Sequence, residues 1–221
     1  MSNDTSILDE IHLDALGELL NIGMGAAAAA LSTMVQQEVL LTVPIIRIVP
    51  SSEVASQLDD NPPNTVCGVK QSFSGEFSGD ALLLFSEEKS LSLVRAVVGD
   101  SIPLEELSEM EEEAITEIGN IILNACISSL ANIFNDYLDS ALPEYLHEEL
   151  ELLFEEKESN ANFVLLLRMS FNIAEQDITG YVTFIMDINS IIKVKAQINK
   201  MLGIADWNVP QWEHSPWNRC Y

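Results

Sequence analysis

The sequence predicts an α+β fold. It reads as a single domain of two pseudo-symmetric helix-strand-strand-strand-helix halves, forming one mainly antiparallel sheet with long helices packed on it. Three observations lead there. The 221 residues are 48% hydrophobic, enough for one sizeable core. A helical pattern opens each half and is followed by Val-, Ile- and Leu-rich runs punctuated by Gly, Asp, Asn and Pro. Finally, Asp14, Glu18, Asn21 and Pro44 recur 99 positions later as Glu113, Glu117, Asn120 and Pro143. Repetition at a fixed interval is the mark of an internally duplicated chain.

The first half, about residues 8–100, opens with a helix expected to run to about Gln37. Asp9 is its N-cap, and Glu10 places negative charge at the positive end of the helix dipole. Leu13, Leu16, Leu20, Ala27, Leu31 and Met34 form its apolar stripe. Gly23 falls toward that stripe, where it lets another element pack close. Gly25 falls on the polar face beyond Asn21, where it leaves the surface low. Residues 38–50 read as a strand with Pro44 near an edge or a bend, and 51–65 as a loop. Two strands follow at 66–77 and 80–86, with Ser78-Gly79-Asp80 as the turn. A short helix over 87–98 ends at Gly99.

The second half, about residues 104–203, repeats this order. Ser108 and Glu111 read as a capping box starting a helix to about Leu138, with Ile115, Ile122, Cys126 and Leu130 on its apolar face. A short acidic segment at 144–159 replaces the first half's loop. Strands are expected at 161–173 and 179–187 with Thr179-Gly180 between them, and a helix at 188–202 closing at Gly203. The duplicated domain thus spans 1–203. Beyond it, residues 204–221 carry Trp207, Trp212 and Trp217 without helical periodicity. The bland reading is a tail that packs on the domain or stays mobile, and the sharper one is a short recognition peptide.

Charge and cysteine content narrow the partners. Ten Lys and Arg against 35 Asp and Glu leave a formal charge of −25, a surface that repels nucleic acid and anionic lipid. No run reaches the roughly 18 uninterrupted apolar residues of a membrane span, and the N-terminus has no signal-peptide pattern. Three cysteines at unpatterned spacing argue against a disulfide framework, so a cytoplasmic setting is expected. His12, His147 and His214 lack partners at ligand spacing, so no metal site is expected. The acidic runs Glu111–Glu113 and Glu148–Glu151 read as solvated faces.

The candidate site is the repeated polar stripe. Asp14, Glu18 and Asn21 stand at i, i+4 and i+7, which stacks them on one helix face. A single stripe of this kind is ordinarily the wet side of a helix. Its recurrence at Glu113, Glu117 and Asn120 changes the reading. The pattern Asp14-x3-Glu18-x2-Asn21-x22-Pro44, the text Glu18-Leu-Leu-Asn21-Ile-Gly23-Met-Gly25 and the second copy Glu117-Ile-Gly-Asn120-Ile121 resemble the CheC, CheX and FliY family of response-regulator phosphatases. Two Glu-x2-Asn copies look most like the CheC type. A FliY-type protein is expected to add a flagellar-switch domain for which this length leaves no room.

The resemblance implies hydrolysis of the aspartyl phosphate on a CheY-type chemotaxis receiver. Glu18, Asn21, Glu117 and Asn120 would be the catalytic residues, with Asp14, Glu113, Gly25, Pro44 and Pro143 in support. Asn would hold the attacking water, since a carboxamide both donates and accepts hydrogen bonds. It cannot act as a general base, because an amide does not titrate near neutral pH. Glu would pair with the receiver's lysine and dock the helix. The protein would need no cofactor of its own, with Mg2+ expected on the receiver. The resemblance also admits a binding role toward phosphorylated receiver or a CheD-like receptor deamidase, with little turnover. At the second site Asn124 stands where Gly25 does, and Glu113 stands where the family pattern prefers Asp or Ser, so the two sites are not expected to be equal.

Overall fold

Each half begins with a long helix whose inner face is apolar, and these two helices lie side by side on one face of a sheet. The computed structural model describes residues 8–58, 64–99, 103–134, 137–154, 162–173 and 176–204. In chain order the elements are α1 (Glu10–Val35), β1 (Val39–Pro50), a 3-10 turn (Ser51–Glu53), α2 (Val54–Leu58), β2 (Thr65–Ser74), β3 (Gly79–Ser86) and α3 (Glu87–Val98). The second half has α4 (Leu104–Phe134), β4 (Asp139–Ser140), β5 (Glu144–Glu149), α5 (Leu150–Phe154), β6 (Asn162–Ile173), β7 (Gln176–Asp187) and α6 (Ile188–Leu202).

The strands make one antiparallel sheet in the order β1-β6-β7-β3-β2, with β4 and β5 both pairing the outer side of β2. The halves join at β3 and β7, where Leu83 faces Val182, its own counterpart 99 positions on. This is what a pseudo-two-fold axis through the sheet centre requires. The expected α+β architecture therefore stands.

Alternation along the strands sorts side chains onto two faces. Ala81, Leu83 and Phe85 point to the main core beneath α1, α3, α4 and α6. Leu82 and Leu84 point the other way, to a smaller core under α2 and α5. Helices Glu10–Val35 and Glu109–Ile133 are long and apolar enough to cross a membrane by length and composition. Here their apolar faces cover the sheet: Leu16, Leu20, Leu31, Ile115, Ile122 and Leu130 are buried. Met34, expected in that stripe, is instead exposed at the end of α1.

The close approach expected at Gly23 is made to α4. A methyl group there would collide with Ser129 Oγ and come within 2.9 Å of the Ala125 carbonyl oxygen. Nothing lies within 4 Å of the corresponding point at Gly25. Asp9 caps α1 as expected, its side chain accepting from the His12 amide, and α1 ends at Gln36 in the left-handed region with φ 56°.

Several expected boundaries are corrected. The loop at 51–65 contains a 3-10 turn and α2, because Val54 and Leu58 bury themselves on the sheet. Gly79 and Asp80 begin β3, and Gly75, at φ 156°, lies in the turn before it. Ser108 lies inside α4, four residues from its start, so it is not a cap. The acidic segment 144–159 opens as β5 and α5, held by Leu146, Leu150 and Phe154 in the smaller core. Thr179 and Gly180 are not a turn but lie within β7, with Gly180 opposite Met169. The Phe85 ring fills the space a side chain at 180 would need. The Trp-rich tail expected at 204–221 lies, from residue 205 onward, outside the described residues.

Gly23→Ala should lower stability by about 1–3 kcal/mol through overpacking, and Gly25→Ala should raise it by up to about 1 kcal/mol, as read from urea midpoints. Burial pushes the Cys126 thiol from about 9 up to about 12. The unfolded chain therefore ionises first, so the stabilisation is complete below pH about 9 and is lost as pH rises toward 12. The alkaline loss of stability should be shallower in Cys126→Ala.

Candidate functional site

The first stripe sits on the outer side of α1, above the edge strand β1. Asp14, Glu18, Asn21 and Gly25 are all exposed. Asn21 is not free to swing, because its Oδ1 accepts from the Val43 backbone N–H at 3.1 Å. The origin of that donor lies in the strand. Between Thr42↔Ser170 and Ile45↔Arg168 the register of β1 against β6 slips, three steps on β1 matching two on β6. This one-residue bulge contains Val43 and Pro44. Proline has no N–H to lose, and a bulge on an edge strand is where the ladder tolerates it. The bulge releases the Val43 N–H from the ladder, and Asn21 takes it.

The second stripe sits on α4 at the opposite edge of the sheet. Glu113 and Glu117 are exposed, while Asn120 and Asn124 are half-buried. Here the outer strand breaks outright between β4 and β5, and Pro143 lies in the break. The register again slips by one residue, since Ser140↔Phe73 gives way to Glu144↔Lys70. Asn120 is held from within the helix: Asn124 Nδ2 donates to Asn120 Oδ1 at 2.7 Å. Asn124 is held in turn by Gln71 Nε2 on β2, at 3.1 Å to its Oδ1. The same nitrogen reaches the Ala141 carbonyl in the strand break at 3.0 Å. Gln71 Oε1 remains buried with no partner among the described residues.

The two sites thus share one result reached by different donors. Each Asn oxygen receives one N–H bond, which orients the carboxamide and leaves a second lone pair and the Nδ2 hydrogens for a ligand. Sequence reasoning named Asn124 only as a departure from Gly25 and missed Gln71. The signal was present, because Gln71 is polar at an inward position between Val69 and Phe73, where alternation calls for an apolar side chain.

Neighbouring groups are structural. Glu111, expected on a solvated face, is half-buried and accepts from Ser90 Oγ on α3. Burial, followed by the charge of Glu111, pushes the nearby Cys67 thiol up to about 11, leaving it protonated near neutral pH. Burial also raises the Tyr145 phenol. His12, on α1 two residues before Asp14, is buried. Its ring bonds Asp9 on one side and Asn199 Oδ1 of α6 at 2.9 Å on the other. Desolvation opposes the Asp9 carboxylate, but the His12 bonds and the charges of His12 and Lys195 outweigh it and hold its pKa below the ordinary value. No group of three or more His, Cys, Asp or Glu positioned to hold a metal occurs among the described residues.

The chain is similar to known proteins in sequence and in fold. A model of the CheC-like family matches residues 11–48, which span the whole first site from Asp14 to Pro44. The chain is 26% identical over 172 residues to the flagellar motor switch phosphatase FliY of Bacillus subtilis (strain 168), covering 75% of this chain and 43% of that protein. It is 24% identical over 142 residues to the CheY-P phosphatase CheC of the same organism, covering 62% of this chain and 66% of that protein. The matched regions are therefore less than two thirds of either relative. Among solved structures, Thermotoga maritima FliY superposes with TM-score 0.70 at 20% identity, over 88% of this chain and 99% of that one. The Helicobacter pylori FliM middle domain superposes with TM-score 0.60 at 9% identity, over 86% and 99%. At such identities the likeness is one of fold.

Removing the Asn21 carboxamide should strand the Val43 N–H. Asn21→Ala should raise hydrogen exchange at Val43 by about 5- to 10-fold, the equivalent of one hydrogen bond of about 1 kcal/mol. Exchange at Val39, on the same strand, should be unchanged.

Proposed function

From its kinship with the CheC, CheX and FliY family, we propose that this chain hydrolyses the aspartyl phosphate of a CheY-type receiver. The observation that carries the reading is the paired geometry: two Glu-x2-Asn faces at opposite edges of one sheet, with Glu18, Asn21 and Glu117 exposed and Asn120 half-buried, each with its Asn carboxamide pre-oriented. An acyl phosphate needs little covalent help, so positioning and electrostatics supply most of the acceleration.

In the proposed reaction, water attacks phosphorus in line with the aspartyl oxygen. The P–O bond to the receiver's carboxylate breaks, and inorganic phosphate and free aspartate result. Asn21 or Asn120 accepts a hydrogen bond from the attacking water through the second lone pair of Oδ1, which turns a water lone pair toward phosphorus. Neither Asn takes up the proton, which leaves on the inorganic phosphate. Glu18 and Glu117 stand one turn away and dock the receiver by pairing with its lysine. That pairing offsets the repulsion between an anionic protein and a phosphorylated partner. The magnesium ion is expected on the receiver. Asp14 and Glu113 border the contact, and Gly25 keeps the α1 surface low enough for approach.

Decay of phosphorylated receiver tests this directly. Asn21→Ala and Asn120→Ala should each remove part of the acceleration, and the double substitution should remove at least about 100-fold. A double variant as active as wild type would overturn the assignment. Glu18→Lys with Glu117→Lys should weaken receiver affinity at least about 10-fold, since each places a cation against a lysine. Binding without accelerated decay in the wild type would make the chain an interaction module instead.

A further inference from the structure

We propose that the cavity between β1, β6 and α2, on the sheet face away from α1 and α4, binds a small oxyanion between Arg47 and Arg168. The two arginines sit on neighbouring strands, with Arg47 opposite Leu166 and Ile45 opposite Arg168. They are therefore diagonal neighbours, and both line one cavity of about 200 Å³. Arg47 Nη1 donates to Gln57 Oε1 at 2.7 Å, which leaves its positive charge unneutralised. Neither arginine forms an ion pair among the described residues. In a chain with 35 acidic and 10 basic residues, carboxylate partners are abundant, yet this pair has none among the described residues. Two guanidinium groups lining one cavity repel each other, and their planar N–H forks match carboxylate and phosphate oxygens. The cavity wall is firm, because the Tyr181 hydroxyl donates to the Leu58 carbonyl and ties the end of α2 to the sheet.

The duplicated half supplies an internal control. The β2–β3 pairing places Lys70 opposite Leu82, as β6–β7 places Arg168 opposite Tyr181. Lys70 is thus the structural counterpart of Arg168. It is neutralised: Asp80 lies 2.9 Å away, and Glu144 faces it from β5. At the matching places around Arg168 stand Thr179 and Ile45, both uncharged, while Leu146 stands where Arg47 does. One scaffold therefore carries a cancelled cation in one half and two uncancelled cations in the other. The fold itself does not demand the Arg pair. The cavity volume suits an orthophosphate, a small phosphorylated compound or a short dicarboxylate.

The test is titration of the full chain with sodium phosphate, pyrophosphate and succinate, followed by amide shifts at Gln57, Leu58 and Tyr181. We expect saturable shifts with at least one probe. Saturation by phosphate or pyrophosphate alone would identify the phosphate class, and by succinate alone the carboxylate class. Arg168→Gln or Arg47→Gln should weaken binding at least about 10-fold, and the double substitution should abolish it. Arg168→Lys should bind more weakly than wild type but more tightly than Arg168→Gln, because it keeps the charge and loses the fork. Lys70→Gln should bind as wild type does. The anion should also raise the melting temperature of wild type and leave that of the double variant unchanged. The proposal is overturned by unsaturable shifts, or by shifts that survive the double substitution. It is equally overturned if binding appears only after Asp59→Asn and Asp60→Asn, since those residues follow Leu58 in sequence and would then be the arginines' own counter-charges.

Discussion

The contact on which the whole arrangement depends is the antiparallel pairing of β3 with β7. Each half brings a hairpin, β2–β3 or β6–β7, and a hairpin alone exposes two edges and an apolar face. Joining the inner strands closes one edge of each and gives both long helices a common surface. With Leu83 facing Val182, the join obeys the repeat's own symmetry. That symmetry then places β1 at one edge of the sheet and β4–β5 at the other. The two Asn-bearing faces lie at those opposite edges for the same reason. The helices supply the second bond between the halves, and its tightness rests on Gly23, whose missing side chain admits the Ala125–Ser129 segment of α4.

Duplication preserves geometry more strictly than it preserves chemistry. Both outer strands slip by one residue next to their proline, yet one slip is a bulge and the other a break. The bulge leaves a backbone N–H beside Asn21. The break carries its backbone elsewhere, and the Gln71–Asn124 chain does the corresponding work at Asn120. Asn124 is therefore part of the second site's own means of fixing its carboxamide, and not simply a bulkier residue in the place of Gly25. The charge pattern on the other face diverges in the same way. Lys70 is cancelled by its neighbours, while Arg168 has Arg47 as its diagonal neighbour on β1.

Much of this was legible in the chain itself. The α+β class, the two long helices, the Asp9 cap, the inward Gly23 and the interval between the motif copies all follow from local pattern. Errors fell where local signals were ambiguous. Thr179-Gly180 has the composition of a turn, but Gly180 is a site of close approach by the Phe85 ring. Ser108 and Glu111 match a capping box, yet α4 begins earlier, at Leu104. The acidic segment at 144–159 stands where the first half was expected to have a loop, while Leu146, Leu150 and Phe154 seat its opening residues on the sheet.

The sequence by itself determined the repeat, the polar helix faces and the residue types available for chemistry, because these depend on spacing along one chain. Only the tertiary structure decided what orients each Asn, because Val43 is 22 residues from Asn21 and Gln71 is 53 residues from Asn124. Strand register brings such groups together, and register is set by the whole sheet. The stripe at Asp14, Glu18 and Asn21 was readable as a face. That its carboxamide is held by a bulge at Pro44 was not, since a proline's place in the sequence does not say which neighbouring N–H it sets free.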